Sequence, residues 1–161
     1  MKIRPMLQIL ILSTSVSLPY AQALQYKENS LCSAQEAIYF SCTLENKKIV
    51  SLCGEEGGHN LKYRYGTQAL IELSYPSEQP KKGNAFYRIN ASGGSVQMDI
   101  IKFKIGAYTY NLYNSFFDGI AVWGPHGLAL KKTCESNIQQ NIKLDLLKQI
   151  PETPQQDNNF K

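Results

Sequence analysis

The sequence predicts a mainly β fold, an antiparallel barrel or sandwich of about eight strands finished by a C-terminal amphipathic helix. Two observations carry the β assignment. Short runs rich in β-branched and aromatic residues recur at near-regular spacing, and glycine, proline and asparagine clusters separate them. Four cysteines, an even number, then suggest a domain stapled by two disulfides.

The runs begin with Ile38-Tyr39-Phe40-Ser41-Cys42-Thr43 and Lys48-Ile49-Val50-Ser51-Leu52-Cys53, joined by the turn residues Glu45-Asn46-Lys47. Gly54 to Asn60 is a glycine-rich loop. Leu61 to Tyr65 alternates, with Leu61, Tyr63 and Tyr65 on one face and Lys62 and Arg64 on the other. Ala69 to Tyr75 and Ala85 to Asn90 flank a loop with two prolines, and Ala91 to Ser95 forms a tight turn. Val96 to Ile105, Ala107 to Tyr113, Gly119 to Trp123 and Leu128 to Lys132 complete the set. After these, Ser136 and Gln139 match a capping box. Ile138, Ile142 and Leu146 fall at helical spacing, so Asn137 to Gln149 reads as an amphipathic helix that stops at Pro151. Residues 151–161 are polar, with two prolines, and are expected to be a disordered tail.

The first residues bear on the compartment. Lys2 and Arg4 precede an uncharged, mostly apolar run from Leu7 to Leu18, and Ala21-Gln22-Ala23 follows. Charge, apolar run and small-x-small site in that order predict a cleaved secretory signal over residues 1–23. The run is shorter than the roughly 20 residues a spanning helix needs. No membrane span is therefore expected. Position 24 is Leu rather than Cys, so no lipid attachment is expected either. Removing 23 of 161 residues leaves 138, with a single domain over 24–150, and lowers the net charge from +4 to +2 by loss of Lys2 and Arg4. That mild excess, spread along the chain, argues against nucleic acid as a partner. The expected location is periplasmic or secreted.

In such a compartment Cys32, Cys42, Cys53 and Cys134 read as two disulfides. No short C-x-x-C spacing and no cysteine–histidine pair suggests a metal, so neither metal nor cofactor is expected. Three connectivities are open to four cysteines. The preferred one joins Cys42 to Cys53 across the first hairpin and Cys32 to Cys134 between the ends of the domain.

Candidate chemistry is sparse. His59 and His126 both lie in glycine-containing loops, no G-x-S-x-G elbow is present, and no spacing pairs two carboxylates. Asn90-Ala91-Ser92 is a formal glycosylation sequon. An enzyme is not expected. The more informative feature is aromatic: ten tyrosines stand among seventeen aromatic residues. Tyr108 and Tyr110 share a strand face that Tyr113 does not, so some tyrosine edges must reach the surface. Tyrosine suits interfaces because it buries a ring while its hydroxyl stays wet.

Phe40-Ser41-Cys42, Lys48 to Cys53 and Tyr63-Arg64-Tyr65-Gly66 resemble a group of small secreted bacterial proteins of unknown function. More distantly, the chain resembles periplasmic inhibitors of c-type lysozyme, small antiparallel barrels with a disulfide. Ala91-Ser92-Gly93-Gly94 or Gly106-Ala107-Tyr108 stands where those inhibitors carry a small-residue loop. Trp123-Gly124 with Gly127 to Leu130 stands for their closing stretch. The extra cysteines and the C-terminal helix depart from that pattern.

The resemblance implies a protein-binding role against an exported or host protein, a cell-wall-cleaving enzyme of the lysozyme type. Ser92, Gly93, Tyr108, Tyr110 and Trp123 are the candidate contact residues, with Ser92 or Tyr108 entering the target cleft. The rival expectations are a barrel that carries a small apolar ligand and a hydrolase using His59 or His126.

Overall fold

In the computed structural model the residues described are 25–78, 85–90, 93, 98–114, 118–142 and 144–153. The expected signal with its cleavage after Ala23, Ser92 and the residues beyond 153 lie outside them.

Among the described residues nine strands form one antiparallel sheet: β1 Ala37–Leu44, β2 Ile49–Gly54, β3 Lys62–Gly66, β4 Ile71–Tyr75, β5 Tyr87–Asn90, β6 Asp99–Ile105, β7 Tyr108–Asn114, β8 Gly119–Gly124 and β9 Gly127–Gln140. Their order is β4-β3-β2-β1-β9-β8-β7-β6-β5. Two meanders, β1 to β4 and β5 to β9, are thus joined side by side through β1 and β9. The sheet curls into a half-barrel rather than splitting into the two layers of a sandwich. No helix among the described residues is long and apolar enough to cross a membrane.

Period-2 alternation places the core on the concave face. Phe40, Leu44, Val50, Leu52, Tyr63, Phe103, Leu112 and Ile120 are buried there. Phe103 is the hub of the rings. It stacks on Tyr75 at 4.7 Å and on Tyr110 at 4.9 Å, and meets Tyr63 at 4.8 Å and Phe86 at 5.4 Å. Tilted and edge-on rings at these separations add about 0.5–1.5 kcal/mol per pair beyond burial. Tyr75 thereby ties β4 to β6, and its hydroxyl donates to the Ala85 carbonyl at 3.3 Å.

On the convex face of β1 to β3 lies the segment before β1. Its Leu31 N–H donates to Ser51 Oγ at 3.0 Å. Arg64 on β3 clamps it with both guanidinium nitrogens on Glu36, at 2.5 and 2.9 Å, and with a further bond to the Leu31 carbonyl at 2.9 Å. Burial pushes the Glu36 carboxyl up, but the Arg64 bonds and the Ser33 N–H outweigh it and hold the pKa below its ordinary value.

Both disulfides form, with a connectivity different from the expected one. Cys32 joins Cys53, and Cys42 joins Cys134. Register explains the correction. Cys42 lies opposite Val50 in the β1–β2 ladder, and Cys53 lies three residues beyond Val50. An odd offset puts the two sulfurs on opposite faces of the hairpin. Cys42 turns inward and meets Cys134, which lies opposite its same-face neighbour Leu44. Cys53 turns outward and meets Cys32 in the covering segment, at a Cα separation of 5.3 Å. Two stabilised disulfides of this kind suit an extracellular or periplasmic setting.

The helix expected over Asn137 to Gln149 is also corrected. β9 continues through Gln140, where Gln139 faces Ser41 and Gln140 faces Phe40. β1 needs a partner on this side, and that ladder overrides the local helix signal. Asn137 adopts φ 53° at the irregularity between the strands, and its amide donates to Thr43 Oγ1 at 3.2 Å. Ile138, expected in the helix core stripe, is exposed. Among the described residues of that span only Leu144–Gln149 is helical, a six-residue segment. Leu146 of the expected stripe is buried in the core, and so is Ile150 beyond it.

Candidate functional site

At the end of the half-barrel where β3 and β8 finish and β4, β7 and β9 begin, the concave face opens into an apolar hollow of about 260 Å³. Its sides are Tyr63 and Tyr65 of β3, Leu73 of β4, Tyr108 and Tyr110 of β7, and Leu130 of β9, with Ile120 and Val122 of β8 completing the lining. Each strand contributes by its two-residue period. Tyr110 faces Val122, and Val122 faces Leu130, so one row of inward side chains crosses β7, β8 and β9.

The rim is unusually apolar for a surface. Tyr108 is 47 % exposed and Leu130 37 % exposed. The Tyr108 ring lies over Gly124, where a Cβ would stand 2.8 Å from Tyr108 Cε1. Glycine there lets the ring approach the neighbouring strand closely. Leu128, two residues before Leu130, is 50 % exposed.

The lining contains no charged side chain. Burial raises the Tyr110 hydroxyl pKa, helped by Tyr108. Burial raises Tyr63 well above its ordinary value, with Tyr110 and Tyr65 adding to the shift. The Tyr63 and Tyr110 phenols are therefore neutral donors at physiological pH. They offer ring area and a few hydroxyls, a surface that suits an apolar group with a polar margin.

The structure brings Tyr108 and Tyr110 together in this lining, which includes neither Gly93 nor Trp123. Trp123 faces Thr109 across the β7–β8 ladder, one residue out of phase with Tyr108 and Tyr110, so it sits on the convex face. There Asn111 and Trp123 lie against the Tyr113 hydroxyl, restraining the rise that burial gives its pKa. Gly93 is exposed, and a Cβ added to it would meet nothing within 4 Å. Ser92 lies outside the described residues. His59 and His126 are exposed in separate loops, after β2 and between β8 and β9. Among the described residues no group of three His, Cys, Asp or Glu side chains could hold a metal ion.

Tyr63, Tyr65, Leu73 and Leu130 were not among the candidate site residues. For the two tyrosines the signal was present as a pair of Tyr-x-Tyr repeats, Tyr63-Arg64-Tyr65 and Tyr108-Thr109-Tyr110. Each repeat puts two tyrosines on one strand face, but only the sheet order shows that both faces line the same hollow. No protein-family model, no curated protein and no solved structure matches this chain.

Proposed function

We propose that this chain is an exported protein-binding domain that performs no chemistry itself and seats an apolar side chain of its partner in the tyrosine-lined mouth. One observation carries the reading: an uncharged hollow of about 260 Å³ opens on a rim where Tyr108 and Leu130 are left partly exposed. Clustered exposed apolar groups with a polar margin mark binding sites. The volume is smaller than the about 300–1,000 Å³ of pockets that enclose a whole small ligand. It suits the anchor side chain of a protein better than a carried molecule. The walls are held by a nine-stranded sheet and two disulfides, so little conformational freedom is lost on binding.

The resemblance to lysozyme inhibitors suggests a muramidase as the first partner to test. In this reading Tyr108 enters or borders the enzyme's cleft and occludes substrate. Lysis of a peptidoglycan suspension by c-type, g-type and bacterial muramidases should then fall as the mature domain is added. Tyr108→Ala should weaken the effect roughly thirtyfold, the loss of about 2 kcal/mol usual for a central anchor. Unchanged lysis with all three enzyme classes at saturating protein contradicts the muramidase assignment. Full inhibition by a Tyr108→Ala, Leu130→Asp double variant contradicts the mouth as the contact surface.

A further inference from the structure

The two open margins of the curled sheet are not equivalent. The edge of β5 is covered: Arg88 N–H donates to the Pro151 carbonyl at 3.0 Å, Thr153 N–H donates to the Arg88 carbonyl at 2.9 Å, and Arg88 pairs with Glu152 at 2.8 Å. Among the described residues nothing covers the margin between β4 and the end of β6 in this way. No described strand pairs with the outer side of β4. The β5–β6 ladder stops at Tyr87 opposite Lys102, so Phe103 to Ile105 lack a partner on that side as well. The described backbone bonds outside the sheet ladders reach neither stretch.

Between these stretches runs a slot of about 540 Å³ with Leu73 to Glu78 on one wall and Lys104 to Gly106 on the other. Tyr75 stacked on Phe103 bridges the two sides. Leu73 also lines the tyrosine hollow, so slot and mouth share this one side chain.

We infer that the partner binds as an extended segment that adds antiparallel to β4 in this slot, with every second side chain turned toward the apolar interior and one of them seated in the mouth. This rests on the proposal that the mouth is the contact surface. Strand addition supplies affinity through main-chain hydrogen bonds and specificity through pockets for alternate side chains. β4 is built for it: Ile71, Leu73 and Tyr75 turn one way, Glu72 and Ser74 the other, and Glu72 is already neutralised by Lys48.

A second copy of this chain does not fit the same edge. Five residues of strand are about 17 Å long and a sheet is about 10 Å thick. Two β4 edges would thus cover roughly 170 Å² on each copy, far below the about 800 Å² per partner of a stable interface. Charge adds a further feature. Lys104 on that wall is exposed and has no ion pair among the described residues. The segment should carry an acidic residue that reaches Lys104 and lies away from Glu78 on the opposite wall.

The test uses the mature, disulfide-bonded domain, isotope-labelled for amide exchange. The probes are octapeptides alternating Thr with Val, Leu, Phe or Tyr, one Thr replaced by Asp, each paired with a copy N-methylated at alternate residues. At least one unmethylated peptide should bind. It should slow exchange of the outward β4 amides at least tenfold, and its methylated copy should bind at least tenfold more weakly. Lys104→Glu should weaken binding about threefold. Equal binding of both forms, abolished by Tyr108→Ala, would leave the mouth standing and overturn strand addition. Protection of β4 that survives Tyr108→Ala unchanged would support strand addition and defeat the mouth reading. Absence of binding by any peptide at millimolar concentration overturns the inference. So does β4 protection in the free protein that grows with self-association.

Discussion

The ring of Tyr108 occupies the space above Gly124 that any other residue's Cβ would claim, at 2.8 Å from Cε1. The two face each other across the β7–β8 ladder, since Thr109 pairs with Trp123. Because the obstructing atoms belong to a half-exposed side chain, Gly124→Ala should tilt the ring without unfolding the sheet. A stability loss below about 1 kcal/mol is expected, in the ordinary range for surface changes. Thermal unfolding with the proton shifts of the Tyr108 ring checks both parts. A large drop in melting temperature with unmoved ring shifts would contradict the packing described.

The two disulfides should contribute unequally. Cys42–Cys134 spans 92 residues and Cys32–Cys53 spans 21. In the chain-entropy model the longer loop restricts the unfolded chain by about 4.6 kcal/mol and the shorter by about 3.3 kcal/mol. Replacing Cys42 and Cys134 together by Ala should therefore destabilise more than replacing Cys32 and Cys53. Denaturant unfolding of the two double variants measures the difference, and the opposite order would contradict this account.

Acid should loosen the segment before β1. The Glu36 carboxyl has its pKa depressed in the folded protein, with the Arg64 and Ser33 bonds outweighing burial. A depressed folded pKa means stability that is present above the unfolded value, about 4.3 for Glu, and lost as pH falls through the folded one. Glu36→Gln should cost about 1 kcal/mol near neutrality after allowance for partial solvent screening. The gap to wild type should close as pH falls below the carboxylate range. A gap that stays constant with pH would contradict the ion pair's role.

Alkali acts on the concave face. Burial raises the Tyr63 pKa well above the ordinary 10.0. A raised folded pKa contributes stability that is intact below the unfolded value and is lost as pH rises toward the folded one. Stability should therefore fall above about pH 10, and Tyr63→Phe should fall less steeply. Parallel curves for the two proteins would show that another group controls the alkaline limb.

The strands were legible because period-2 alternation and turn chemistry agree along the chain. Lys48 to Cys53 as read from sequence becomes Ile49–Gly54, and Gly119 to Trp123 becomes Gly119–Gly124. The disulfide pairing was not legible, because it depends on register parity. Whether Cys42 faces Val50 or its neighbour is a property of the ladder, and one residue of shift reverses the answer. The C-terminal misreading has a different cause. Ser136, Ile138 and Gln139 satisfy a helix pattern locally, while the free side of β1 claims them as strand. Within the site, Tyr108 and Tyr110 were legible as one face. Their separation from Trp123 was not, since it follows from the pairing of Thr109 with Trp123.

The most direct test of the mouth places a photo-crosslinking benzoylphenylalanine at Leu130, and at exposed Glu135 for comparison. The domain is then illuminated in the secretions and cell envelopes it would meet. Adducts resolved by mass should contain a protein attached at position 130, absent from the position 135 control and lost when Tyr108→Ala is added. A mouth that captures only small molecules, or protein adducts equal at both positions, would contradict the account.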